Sequence, residues 1–206
     1  MHLLGSRKAV FYLVTLATGF WFVTFYLNPY NFWLEMSTAV LVLSGLSLYI
    51  WRSYEPLTTW NARSILLGIG SAIGLYGVFW MGNHVITDLI PFSAGEIAAV
   101  YSNSASATTP VIGTLLVTVI GPGEEIFWRG TVQDTLEDEY GGLMGLFTGA
   151  LLYSFVHIWA LNLTLLIAAM VCGLVWGWMY YAEGNLAPVI VSHSIWSLLI
   201  FVILPV

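Results

Sequence analysis

The chain of 206 residues is 59% hydrophobic and only 8% charged, where a soluble domain carries about 25% charged residues. A soluble globule cannot hide that much apolar surface, so the bilayer is the natural solvent, and lipid requires every backbone N–H and C=O to be bonded internally. A net charge of -6 argues against nucleic acid as a partner, and the single cysteine, Cys172, leaves no disulfide framework and no cysteine metal cluster.

Apolar runs near residues 9–27, 32–51, 64–90, 110–128, 143–160, 163–181 and 187–204 approach the ~20 residues of a spanning helix and are unlike the ~10-residue alternating strands of a barrel. The expected fold is therefore all-α: a polytopic membrane protein with about seven transmembrane helices, its last four forming a C-terminal core. The whole of 1–206 reads as one membrane domain, with 1–108 supplying N-terminal helices of unassigned role and 109–206 the core. Arg7 and Lys8 precede the first run, which is too long for a signal peptide and lacks a small-x-small cleavage site, so it reads as a retained span.

Polar or helix-breaking joints separate the runs: "NPYN" (28–31), "RSYEPLTTWNAR" (52–63), "SNSASATTP" (102–110) and "AEGN" (182–185). Thr109 followed by Pro110 reads as a helix start. With a cytoplasmic N-terminus, all five cations (Arg7, Lys8, Arg52, Arg63 and Arg129) fall on the cytoplasmic side and the outer loops hold none, as the positive-inside rule demands. Multi-pass insertion in a prokaryotic plasma membrane is the expected localisation. Glycines four apart (Gly70 and Gly74; Gly141, Gly145 and Gly149; Gly173 and Gly177) mark close helix packing. The acidic "DTLEDEY" (134–140) reads as a solvated extension of the fourth span.

Ionisable residues inside spans cost ~2.5–3.5 kcal/mol at mid-helix and are functional candidates by default. Glu35 is an interfacial acid, and His84 and Asp88, four apart, suit a local pair. The second half is richer. In "IGPGEEIFWRG" (120–130), Glu125 and Arg129 are an i, i+4 pair with the acid first, the favourable order. Glu124 is rotated ~100° from it and has no cation four residues on. Two adjacent carboxylates, one paired and one not, separate their proton affinities and make the unpaired one a candidate base. Pro122, flanked by Gly121 and Gly123, predicts a bent and closely packed entry. Tyr153 with His157, and His193 with Ser197, repeat the i, i+4 spacing on later spans. Counting from a turn at Gly141-Gly142 puts Glu124 and His157 both ~24 Å from it, on one level.

"EEIFWRG", then "YSFVH", then "APVIVSHSIWS" together resemble the CPBP family of intramembrane proteases, also called the Abi or CAAX-protease family, over residues 109–206. Glu124, Glu125 and Arg129 match its E-E-x-x-x-R motif. His157 matches F-x-x-x-H with Tyr153 in the Phe position, and His193 matches H-x-x-x-Asn/Asp with Ser197 in the last. The resemblance implies peptide-bond hydrolysis within the membrane, at a site opening toward the cytoplasm. Glu124 and His157 would activate water, and His193 and Ser197 would stabilise the oxyanion. No cofactor is favoured, although Glu124, His157 and His193 could ligate zinc with water as a fourth ligand. The implied partner is a membrane-associated peptide or protein, a prenylated C-terminus among the candidates. The rivals are a proton- or ion-coupled transporter, which would also place Glu and His in its spans, and a non-catalytic immunity or scaffold protein of the same fold.

Overall fold

The computed structural model describes the backbone of residues 6–50 and 58–206. Arg52 lies outside them, and of Arg7 only the backbone is described. Ten α-helices follow in order among the described residues, and there is no strand: α1 (Ser6–Trp21), α2 (Phe32–Ile50), α3 (Ala62–Leu89), α4 (Ser93–Ser102), α5 (Thr109–Leu115), α6 (Gly121–Phe127), α7 (Asp134–Tyr140), α8 (Gly142–Phe155), α9 (Leu163–Glu183) and α10 (Leu186–Leu198). Several run on without a break. The turn Phe22–Leu27 extends α1, and α5, α6 and α7 fuse through Leu116–Ile120 and Trp128–Gln133, both wound as π-helix. Seven helical stretches are long and apolar enough to cross a membrane: Lys8–Leu27, Phe32–Ile50, Ala62–Leu89, Thr109–Tyr140, Gly142–Ala160, Leu163–Glu183 and Leu186–Ile203.

The fourth stretch, Thr109–Tyr140, is the axle of the bundle, with α6 packed against both α2 and α10. Its Gly-Pro-Gly opening has a geometric cause. A Cβ on Gly123 would run into the Val40 side chain of α2, and one on Gly121 would lie 2.7 Å from Ser194 Oγ of α10. Bare backbone on two faces lets both neighbours close in. Pro122 has no N–H to give, and the chain ahead of it is wound so that the Gly121 N–H reaches back five residues to the Leu116 carbonyl. The expected bend is thus a π-turn, one of the usual ways a helix absorbs an insertion in its ladder.

The glycine spacing divides into two cases. Gly145 and Gly149 sit against Glu137 and Gln133 where α8 folds back on the fourth stretch, Gly173 meets Ala150, and Gly177 meets Gln133. Gly70 and Gly74 have open space where a side chain would be, and it is Gly68 that lets α10 approach α3, through Val191 and Pro188. Gly141 (φ 89°) and Gly184 (φ 57°) end helices in conformations that residues with a Cβ seldom adopt. The cap before α5 is Thr108 rather than Thr109, and its side chain makes no capping bond.

Each end of the bundle is tied across sequence. At the N-terminal end, Asn185 caps α10, binds both Thr59 N (2.9 Å) and Thr59 O (3.0 Å), and Arg63 pairs with Glu183. The acidic stretch at that end is only partly solvated, since Asp134 accepts from the Tyr180 hydroxyl (2.8 Å) and Glu137 from Gln133 (2.7 Å). At the other end lies α4, a short helix between the third and fourth spans that no apolar run announced. Its Glu96 carboxylate accepts from Leu163 N (3.1 Å), Thr164 N (2.8 Å) and Thr164 Oγ1 (2.6 Å), filling the orphan donors at the start of α9. Partial burial pushes the Glu96 carboxyl up, and the bonds from Thr164 and Leu163 outweigh it and hold the group below its ordinary range. A depressed acid stabilises the fold above its unfolded pKa, and that stability is lost as pH falls through the folded one. Hydrogen exchange at the Leu163 and Thr164 amides is therefore expected to accelerate only below the usual carboxylate range, and protection that stays constant down to pH 3 would contradict the latch.

Candidate functional site

Two acids that share a helical turn face different surroundings. Glu125, on α6, is wholly buried and its Oε1 takes two bonds: from Arg129 Nη1 at 3.0 Å and from His193 Nδ1 of α10 at 2.6 Å. Arg129 reaches Gly173 O at 3.4 Å as well, and its guanidinium lies over the rings of Tyr153 (4.6 Å) and Trp176 (5.5 Å). Trp176 in turn stacks flat on the His193 imidazole, 4.0 Å between centroids and 15° between planes, and bonds Ser192 through its indole N–H. The expected Glu125–Arg129 pair is present, and it is the centre of a larger cluster that orients His193.

Glu124 faces the other way, and its Oε2 accepts from the Tyr153 hydroxyl at 3.1 Å. His157 sits in the 3-10 turn that ends α8, with Nδ1 2.8 Å from the Tyr153 carbonyl. A carbonyl only accepts, so Nδ1 carries the proton and Nε2 is left with a lone pair in the neutral ring. That lone pair receives the indole N–H of Trp21, from the first span, at 3.3 Å. Phe25 and Tyr153 close round the ring edge-on.

Glu124, Tyr153, His157, His193 and Ser197 line one cavity of about 330 Å³, room for several waters at ~30 Å³ each. Glu125 and Arg129 do not reach it and stand behind its wall. Glu35 is elsewhere and accepts from Tyr30 N at 2.8 Å. His84 does not pair with Asp88, because its Nδ1 bonds the Trp80 carbonyl one turn back at 2.8 Å. Among the described residues no group of three or more His, Cys, Asp or Glu side chains is arranged to hold a metal ion. Glu124, His157 and His193 thus do not fit a zinc site as they stand, and the lone pair that His157 would offer is taken by Trp21.

The cavity also has walls that sequence reading did not supply. Phe25, Phe32, Trp33 and Met36 come from the first two spans, and Ala99, Val100 and Asn103 from α4 and the turn after it. Trp21 and Trp176 carry no motif signal in a chain with ten tryptophans. Tyr153 had one, as an i, i+4 partner of His157, but its hold on Glu124 needed coordinates. The buried floor of the cavity leads to half-buried Asn103, Ala160 and Asn162 and exposed Ala99. These lie at the end of the bundle where the first span finishes, opposite the N-terminus. A cytoplasmic N-terminus and a cytoplasmic mouth, both expected from sequence, are incompatible.

A second cavity of about 210 Å³, between α3, α4, α9 and α10, is almost wholly apolar and shares Val100, Asn162, Leu165, Ala168, Trp196 and Phe201 with the first. Removing Glu125 leaves a buried, unpaired arginine, which costs about 3–5 kcal/mol. Glu125→Ala is expected to lose that much stability in detergent denaturation, whereas Glu124→Gln, which keeps an acceptor for Tyr153, stays near the parent, and equal losses would refute the division of labour.

Against known proteins, residues 106–199 match the family model described as type II CAAX prenyl endopeptidase Rce1-like. No curated protein and no solved structure matches the chain.

Proposed function

We propose, from the match of residues 106–199 to the type II CAAX prenyl endopeptidase model, that this membrane protein hydrolyses a peptide bond of a membrane-associated peptide or protein, with Glu124 activating the water. The observation that carries the reading is the single cavity onto which Glu124, His157, His193 and Ser197 all open. A carrier would need a polar path continuing to the far side; here Glu125 and Arg129 stand behind the cavity wall, bonded to each other and to His193.

The chemistry follows from which atoms are committed. The Tyr153 hydroxyl holds one oxygen of Glu124 and so fixes the carboxylate against the cavity. Glu124 takes a proton from water as the oxygen attacks the scissile carbonyl, and returns it to the leaving amine when the tetrahedral intermediate collapses. His157, fixed as the Nδ1–H tautomer by the Tyr153 carbonyl, offers Nε2 as the second acceptor that orients the water once Trp21 yields. The new oxyanion needs donors aimed at it. The Ser197 hydroxyl is one. His193 is the other: its Nδ1 is on Glu125, so its Nε2 is the ring atom turned to the oxyanion, and it donates when that nitrogen carries a proton. Glu125 and Arg129 act through His193 and touch no substrate. The apolar cavity next door gives room for the greasy part of a membrane-borne substrate, a lipid chain or a run of large side chains.

Cleavage of a bilayer-anchored reporter peptide by reconstituted protein tests this. Glu124→Gln is expected to slow turnover by about 10²–10⁴, the range of a lost general base. Ser197→Ala is expected to cost about 10²-fold or less in kcat with little change in KM, as for one oxyanion donor among several. An undiminished rate for Glu124→Gln would remove the assignment.

A further inference from the structure

The direction of the bundle and the placement of its cations bear on which side the substrate comes from. Chain direction gathers Lys8, Ile50, Ala62, Tyr140, Gly142, Glu183 and Leu186 at one end and Leu27, Phe32, Leu89, Thr109, Ala160, Leu163 and Ile203 at the other. Lys8 and Arg63 lie at the first end, and in sequence Arg7 and Arg52 adjoin it. The segments at the second end, 27–36, 84–110, 157–166 and 197–206, contain no Lys or Arg, although they hold Glu35, Asp88 and Glu96. Membrane insertion retains the Lys- and Arg-bearing ends of spans in the cytoplasm, and acids have little say. The rim residues Ala99, Asn103, Ala160 and Asn162 all belong to the second, cation-free end.

We propose that the cavity opens to the extracytoplasmic side, and that the substrate is a membrane-anchored peptide whose scissile bond is presented there, not a prenylated C-terminus offered from the cytoplasm. The substrate half of this inference rests on the protease reading above; the direction of the mouth does not. The lining adds a preference. Phe25, Phe32, Trp33, Met36, Leu116 and Phe201 surround the approach to Glu124, with no Lys or Arg to receive an acidic segment, so the residues flanking the cleaved bond are apolar or neutral.

Two measurements on the full chain in bacterial cells decide it. Ala105 and Asp138 are exposed at opposite ends, while the native Cys172 is buried. With a membrane-impermeant maleimide, Ala105→Cys is expected to label in intact cells and Asp138→Cys only after permeabilisation, and the reverse pattern overturns the inference. Paired reporters, one span each with the same apolar peptide on the outer or the inner side, are then compared. The outer one is expected to be cut at least tenfold faster, with the cutting lost in Glu124→Gln. Cutting of the inner reporter alone overturns the inference and leaves the hydrolase standing. Cutting of neither removes the hydrolase and the substrate assignment with it, while the labelling still reports the mouth.

Discussion

A carboxylate buried among apolar side chains is tolerable only if its charge is answered on the spot, and Glu125 is the residue that imposes this condition here. Arg129 and His193 both bond the same oxygen, so α6 and α10 must meet at one register. The arginine needs surroundings too, and Tyr153, Trp176 and the Gly173 carbonyl supply them from α8 and α9. One desolvated charge thereby fixes the relative positions of four helices. Its neighbour Glu124, one residue back, inherits that rigidity without sharing the neutralisation: it has a hydroxyl for company and a cavity in front of it.

Much of the fold was legible because lipid imposes a length on any helix that crosses it. Apolar runs near that length, broken by Asn, Pro and Gly, marked seven spans whose ends fall within a few residues of the observed ones, and the acidic stretch 134–140 extends the fourth to Tyr140, as expected. The candidate residues were legible for a related reason: an ionisable group in an oily run must have a purpose, and few such groups exist here. What sequence could not convey was partnership. Gly70 and Gly74 have the same spacing as Gly145 and Gly149, yet only the second pair faces a neighbour. His84 and Asp88 have the spacing of a pair, but the nearest acceptor, the Trp80 carbonyl, is within the helix itself. Helix α4 escaped notice because ten residues of mixed character leave no periodic signature. Which end of the bundle the cavity approaches also needed coordinates, because motif spacing says which residues meet and not where the helices part.

The N-terminal spans, without a role on sequence grounds, furnish a wall of the cavity and a bond to one of its imidazoles. Pro122 shows the same interplay of local and tertiary cause. Its missing N–H is absorbed by a π-turn, and the glycines on either side let α2 and α10 press against the helix next to Glu124. The irregular winding thus falls where the bundle is tightest.

The hydrogen bond between Trp21 and His157 links residues 136 positions apart, and this has a consequence for biosynthesis. The first span enters the membrane long before the segment carrying His157 leaves the ribosome, and the segment with His193 follows later still. A nascent chain therefore carries only fragments of the pocket, each inert by itself. Whatever reactivity the finished molecule has is withheld until its last helix docks, which spares neighbouring polypeptides from a half-built site.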